Sequence, residues 1–357
     1  MLNITNKYGP NATVLLPGGC NAACDFCFWN SEEAKIKPPA DFIERVFDIV
    51  DRLPDEFNCL SISGGEPTLS PIFGKFMSAL ALHRRDTKLE RVVLTTHGGN
   101  LNNHIPVVGA AVDHINISRH SVTDEGNFEI FKTKKIPTNK ELKKLIKRIH
   151  DNTQCDVTLN CVVNKDVSVE FCYEFIRYAN DIGADAVSFR KTASDVTKTE
   201  AEKYFAKKHG VLGETECEVC RGMEQNVYGF NVRWKGTVHE PSIETNGVYE
   251  AVIHPDGNAY TDWGMKHPIE LGPSETIRQS IRRLSVVGCG GLRSVGQPIV
   301  PKVAKKPPTV DEQASAVIAS IRQKTTAQQI SSSASGCGTG GGCGGGTSRS
   351  GCGSGGC

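Results

Sequence analysis

Six short apolar runs, separated by stretches of helical periodicity, organise residues 11 to about 195. They are ATVLLPG (12–18), CLSISGG (59–65), RVVLTTHGG (91–99), HINISRH (114–120), CDVTLNCVV (155–163) and DAVSFRK (185–191). They are rich in β-branched residues, and most end in glycine or polar residues, as buried parallel strands do. Between them, PADFIERVFDIVDRL (39–53) sets Phe42, Val46, Phe47 and Val50 on one helix face. NKELKKLIKRIHDN (139–152) and SVEFCYEFIRYANDIG (168–183) behave alike, the second with Gly183 as its C-terminal cap. Strand–helix alternation over six units implies an α/β fold, a parallel sheet with helical crossovers. Six units suit an open, partial (β/α)6 TIM-like barrel better than a closed eight-unit one. In such folds the chemistry sits at the C-terminal strand ends.

Composition divides the rest. Residues 1–195 form the core and 196–296 an extension that contains cysteines and a β-hairpin. Residues 297–335 form a linker with a helix expected over 311–330, and 336–357 a tail. The extension holds CEVC and then YEAVIHPDGNAYTDWG (249–264), a hairpin pattern turning on Pro255-Asp256-Gly257-Asn258. PIVPKVAKKPPTV, from 297, has linker composition. The tail GCGTGGGCGGGTSRSGCGSGGC cannot bury a core and is expected to be disordered alone. It has two readings: an appendage whose thiols bind metal or help to assemble a cluster, or a fused peptide substrate.

A net charge of +1 over 357 residues gives no strong pull towards nucleic acid or an anionic membrane. No run of 18 apolar residues exists, so no membrane span is expected. The opening MLNITNKYGPNATVLLPGG lacks a basic head and apolar core, so no secretory signal is expected either. The expected location is cytoplasmic. The 14 cysteines then read as reduced thiols, metal ligands or catalytic groups rather than disulfides.

Cys20, Cys24 and Cys27 lie in GGCNAACDFCFWN (18–30), the first strand-to-helix loop. Three thiolates there can each hold one iron of a cubane, leaving the fourth iron open. Zinc is a second reading, but structural zinc needs a fourth ligand and no histidine stands at finger-like spacing; coincidence is the third. Cys59, Cys155, Cys161 and Cys172 fall on strands or helices and read as small core residues. SISGGEPTLSP (61–71) ends the second strand with Gly64-Gly65-Glu66-Pro67. Glycines there expose backbone to a ligand, and a carboxylate can pair with a ligand ammonium.

The spacing Cys-x3-Cys-x2-Cys, with aromatic Phe26 before the third cysteine and Gly-Gly-Glu-Pro at the second strand end, resembles the radical S-adenosylmethionine (SAM) superfamily. Within it, the pattern resembles the molybdenum-cofactor biosynthesis protein A and the peptide-maturase branch with SPASM or Twitch extensions. The resemblance implies a [4Fe–4S] cluster on Cys20, Cys24 and Cys27, with Gly64, Gly65 and Glu66 contacting the SAM amino group. It implies reductive SAM cleavage to a 5′-deoxyadenosyl radical that abstracts hydrogen from a substrate. A low-potential flavodoxin or ferredoxin would donate the electron. TTHGGN (95–100) resembles the family's third-strand end. Ser118 and Arg119 are candidates for the SAM ribose or carboxylate, Asn160 and Asn164 bracket the fifth strand end, and Arg190 is a second carboxylate candidate. His97 and His120 are candidates for either acid/base or structural roles. In the extension Asp262 and Trp263 stand where a cluster cysteine is expected. Cys217 and Cys220 remain a candidate pair for a second Fe–S cluster or zinc, or plain thiols, with Cys289 and the tail cysteines as replacement ligands. The expected substrate is a peptide. The alternatives are a small molecule or nucleotide and, from another class, a non-catalytic Fe–S or zinc scaffold.

Overall fold

The computed structural model describes residues 11–27, 29, 35–191, 198–212, 222–235 and 250–271. These belong to one compact unit, Met1–Ala314; a second, Ser315–Cys357, lies outside the described residues. So do Cys217, Cys220, Cys289, the linker from 297, the helix expected over 311–330 and the tail.

All six expected strands form: β1 (Asn11–Leu16), β2 (Cys59–Gly64), β3 (Arg91–Thr96), β4 (His114–Ser118), β5 (Asp156–Val163) and β6 (Ala186–Lys191). They pair in parallel in chain order. The crossovers are α1 (Phe42–Arg52), α2 (Phe73–His83), α3 (Ile105–Ala111), α4 (Asp124–Phe131), α5 (Asn139–Asn152) and α6 (Val169–Asp181), and α7 (Glu200–His209) follows β6. On α1 the buried face is Phe42, Ile43, Val46, Ile49 and Val50. Phe47, expected on that face, is only half-buried and stacks on His83. α5 has the bounds its periodicity gives and opens with a capping box of Thr138 and Glu141. Gly183 takes a φ of +89° just past α6, which glycine adopts without strain.

The extension's described strands continue the same sheet at both edges. β7 (Met223–Val227) and β8 (Phe230–Lys235) form a hairpin whose β8 lies parallel to β6. β9 (Glu250–Ile253) lies parallel to β1 and carries β10 (Ala259–Tyr260) in the expected hairpin. The order is β10-β9-β1-β2-β3-β4-β5-β6-β8-β7. The parallel run from β1 to β6, each step carried by a helical crossover, has the arrangement of the expected open, partial (β/α) barrel. No hydrogen bonds join edge strands β7 and β10.

Successive strand residues face opposite sides. Val14, Ile62, Leu94, Ile117, Leu159 and Phe189 are buried on the helix side. The concave side is more polar, with Thr13, Ser61, Asn116, Thr158 and Ser188. That contrast is what a substrate-holding lumen requires.

Candidate active site

The cysteine loop leaves β1 at Leu16 and is fixed by contacts other than its thiols. Ala23 N–H donates to the Phe131 carbonyl at 3.0 Å, and Lys132 pairs with Asp25. Phe26 meets the edge of His120 at 4.9 Å, and His120 stacks on Phe131 at 4.9 Å. Cys20 and Cys24 are half-buried and Cys27 is exposed, whereas Cys59, Cys155, Cys161 and Cys172 are buried, as expected of core residues. Burial, then the neighbouring Cys27 and Cys20, push the Cys24 thiol up to about 11. Burial is also the main reason the Cys20 thiol is raised. Such thiols are poor nucleophiles. A bound cation is what would hold them as thiolates. Among the described residues no three His, Cys, Asp or Glu side chains are spaced for a single metal ion. A cubane instead assigns each cysteine its own iron, so this donor set fits a cluster.

The Gly-Gly-Glu segment abuts this loop. Gly64 has a φ of +134°, and a Cβ there would stand 2.8 Å from the Leu16 carbonyl oxygen. A Cβ on Gly65 would stand 2.8 Å from the Gly19 carbonyl oxygen and 2.9 Å from the Trp29 indole nitrogen. Glu66 N–H donates to the Gly19 carbonyl at 3.3 Å. Only glycines allow two backbones to approach so closely, and this cradle fits a ligand that reads main-chain groups.

Glu66, expected to meet an ammonium, also serves the protein's own donors. Its carboxylate is buried, with Oε1 accepting from Thr68 N at 3.0 Å, Thr68 Oγ1 at 2.6 Å and Thr96 Oγ1 at 2.5 Å. Oε2 accepts from His97 N at 2.8 Å. Glu66 therefore ties the end of β2 to that of β3. Three of these donors sit on Oε1 and one on Oε2, so Oε2 keeps acceptor capacity.

Arg119 lies at the end of β4. It is fully buried and donates to the carbonyls of Ser118 (2.9 Å), His97 (3.2 Å) and Pro137 (2.8 Å). Ser118 and Asn160 pair across β4 and β5. Asn160 is buried and Ser118 half-buried. Arg190, on β6, is exposed. His97 Nε2 donates to Asn21 Oδ1 at 2.7 Å and its Nδ1 accepts from Gly99 N–H at 3.0 Å, so the neutral ring braces the cysteine loop.

His120 Nδ1 accepts from Val162 N–H at 3.1 Å, and burial, then the Arg119 charge, lower its pKa from 6.5 to about 3. Both histidines thus have structural roles. Between those values the unfolded chain binds a proton that the fold excludes, so stability falls as pH drops through that window. The loss is on the order of 5 kcal/mol. Denaturant unfolding at pH 7 and pH 4 checks this, with His120→Gln expected to lose much of the acid sensitivity. Equal acid sensitivity in both proteins would refute it.

Sequence reasoning missed two groups. The first is Glu250, whose carboxylate accepts from Thr13 Oγ1 at 2.7 Å and Trp263 Nε1 at 3.2 Å. Burial raises its pKa. Its only sequence signal is a lone acid at the start of the hairpin. Trp263 thus has a partner of its own, and Asp262 accepts from the N–H groups of Gly264 and His267. Where a cluster cysteine was expected, both residues brace the chain. The second group is Trp29, two residues past Cys27, whose buried Nε1 has no protein hydrogen-bond partner.

Residues 14–179 match the model of the Radical SAM superfamily. Over those residues, just under half of its length, the chain has the radical SAM superfamily fold. No curated protein sequence matches it. Among solved structures it is similar to Streptococcus suis SuiB, 14% identical with a TM-score of 0.50, over 74% of this chain and 63% of that one. SuiB bound to precursor peptide SuiA matches with TM-score 0.50 and 14% identity, over 71% of this chain and 59% of that one. Native anSMEcpe with bound AdoMet and Cp18Cys peptide matches with TM-score 0.48 and 13% identity, over 77% of this chain and 81% of that one. The chain thus spans less than two thirds of SuiB. None of these three is a molybdenum-cofactor biosynthesis protein A. Among the described residues no helix is long and apolar enough to cross a membrane.

Proposed function

We propose that this chain is a radical SAM enzyme of the peptide-modifying kind, working in a reducing cytoplasm with a flavodoxin- or ferredoxin-type donor. The observation that carries the reading is the cysteine loop after β1, whose Gly19 carbonyl accepts from Glu66 N–H and lies in close approach to Gly65 at the end of β2, beside the concave face of the parallel sheet. Cys20, Cys24 and Cys27 would hold a [4Fe–4S] cluster, and Gly64 and Gly65 would present main chain to the SAM amino group. Bound together, these cofactors supply a 5′-deoxyadenosyl radical that removes a hydrogen atom from substrate.

The chain's own part is positional. Glu66 and Arg119 fix the strand ends by hydrogen bonds. His97 and the Phe26–His120–Phe131 stack hold the cysteine loop against them. Ser118, Asn160 and Arg190 are proposed to meet SAM or substrate on the concave side. A peptide substrate is favoured by likeness of fold to SuiB, which has been solved with its precursor peptide SuiA. Cys217 and Cys220 are proposed to ligate a second Fe–S cluster or zinc.

Anaerobic reconstitution with iron, sulfide, SAM and dithionite tests this reading. The expected product is 5′-deoxyadenosine, in amounts that rise with a peptide substrate. A protein that binds iron yet neither binds nor cleaves SAM would be a scaffold instead.

A further inference from the structure

We infer that Trp29 is a SAM-binding residue, its indole N–H beside Gly65 donating a hydrogen bond to the SAM carboxylate. This rests on the radical SAM reading above and names a contact that neither the cysteine spacing nor the Gly-Gly-Glu segment specifies.

The indole nitrogen is only a donor, so nothing but an acceptor can satisfy it. It is buried, with no protein hydrogen-bond partner. Leaving such a donor unpaired is costly, and a bound acceptor would satisfy it. Its position narrows the ligand. Trp29 follows Cys27 by two residues, and its Nε1 stands 2.9 Å from where a Gly65 Cβ would be. The donor therefore lies between the cysteine loop and the glycine cradle.

The chemistry of SAM narrows the acceptor. Its ammonium and carboxylate share one carbon, so a donor beside a main-chain ammonium site is close to the carboxylate. Of the two arginines expected for that carboxylate, Arg119 gives its terminal N–H groups to three carbonyls, leaving only its buried Nε without a partner, and Arg190 is exposed. A neutral N–H meeting a carboxylate makes a charge-assisted bond.

The test uses reconstituted wild type, Trp29→Phe and Trp29→His, with iron and labile sulfide measured on every sample. Binding of SAM and of decarboxylated SAM is read by anaerobic equilibrium dialysis, independently of turnover. Trp29→Phe should keep its cluster and lose roughly tenfold to a hundredfold in SAM affinity. It should bind decarboxylated SAM as wild type does. Trp29→His, which keeps a ring N–H, should recover most of the loss.

Wild-type SAM affinity in Trp29→Phe overturns the inference, as does a histidine variant no better than phenylalanine. Equal losses for SAM and decarboxylated SAM overturn the carboxylate assignment. Loss of iron in both variants makes Trp29 a structural part of the cysteine loop. Failure of wild type to bind SAM at all removes the radical SAM reading, and this inference with it.

Discussion

Replacing Cys20, Cys24 and Cys27 together with alanine is expected to leave a folded barrel that binds no iron at this loop and makes no 5′-deoxyadenosine. The effect on chemistry is complete because each thiol is assigned its own iron, and no other described cysteine is near solvent to substitute for it. The effect on stability should be small. The loop is tied down by the Ala23–Phe131 hydrogen bond, the Lys132–Asp25 pair and the Phe26–His120 contact, none of which uses a thiol. Anaerobic iron analysis, the charge-transfer absorption of the cluster and product chromatography check the first part. Thermal unfolding of the metal-free proteins checks the second. Reductive SAM cleavage by the triple variant would end the assignment of these cysteines.

The parts of the fold that sequence made legible are those set by local pattern. α5 carries its own cap and an unbroken apolar stripe of Leu142, Leu145, Ile146 and Ile149, so its periodicity gave both ends. The hairpin of β9 and β10 was legible from its turn, where His254 N–H meets the Asn258 carbonyl and Gly257 has a φ of +80°. α3 is only seven residues, IPVVGAA, too short and too evenly apolar for a stripe to show. β7 and β8 read MEQNV and FNVRWK, short mixed strings whose strand state rests on pairing, β7 with β8 and β8 with distant β6, rather than on propensity.

The site divides in the same way. The cysteine triad and the paired glycines are local signatures. The fates of the charged residues beside them are not, because they depend on partners far off in sequence. Arg119 looks like a free cation at a strand end until the carbonyls of His97 and Pro137 close around it. Trp29 has no signal but its distance from Cys27, since what singles it out is an unpaired N–H against Gly65, just past the end of β2.

Glu66 gives the second large expected effect, on stability before binding. Were the SAM ammonium its carboxylate's only partner, Glu66→Gln would fold normally and lose affinity alone. Instead, its oxygens collect the N–H and O–H of Thr68, the O–H of Thr96 and the N–H of His97. Glu66→Ala leaves those donors without their acceptor at a buried strand junction, a loss of roughly 3–5 kcal/mol. Glu66→Gln is no remedy, because one of its two heads is a donor aimed at donors. Both variants should therefore unfold at lower denaturant concentration even without cluster or SAM. The junction also holds His97, and through it Asn21, so cluster loading should fall alongside stability. Urea unfolding of the metal-free proteins, followed by iron content and SAM dialysis on the reconstituted ones, separates the two roles. A Glu66→Gln protein as stable as wild type that takes up full iron yet binds SAM weakly would leave the carboxylate to the ammonium alone.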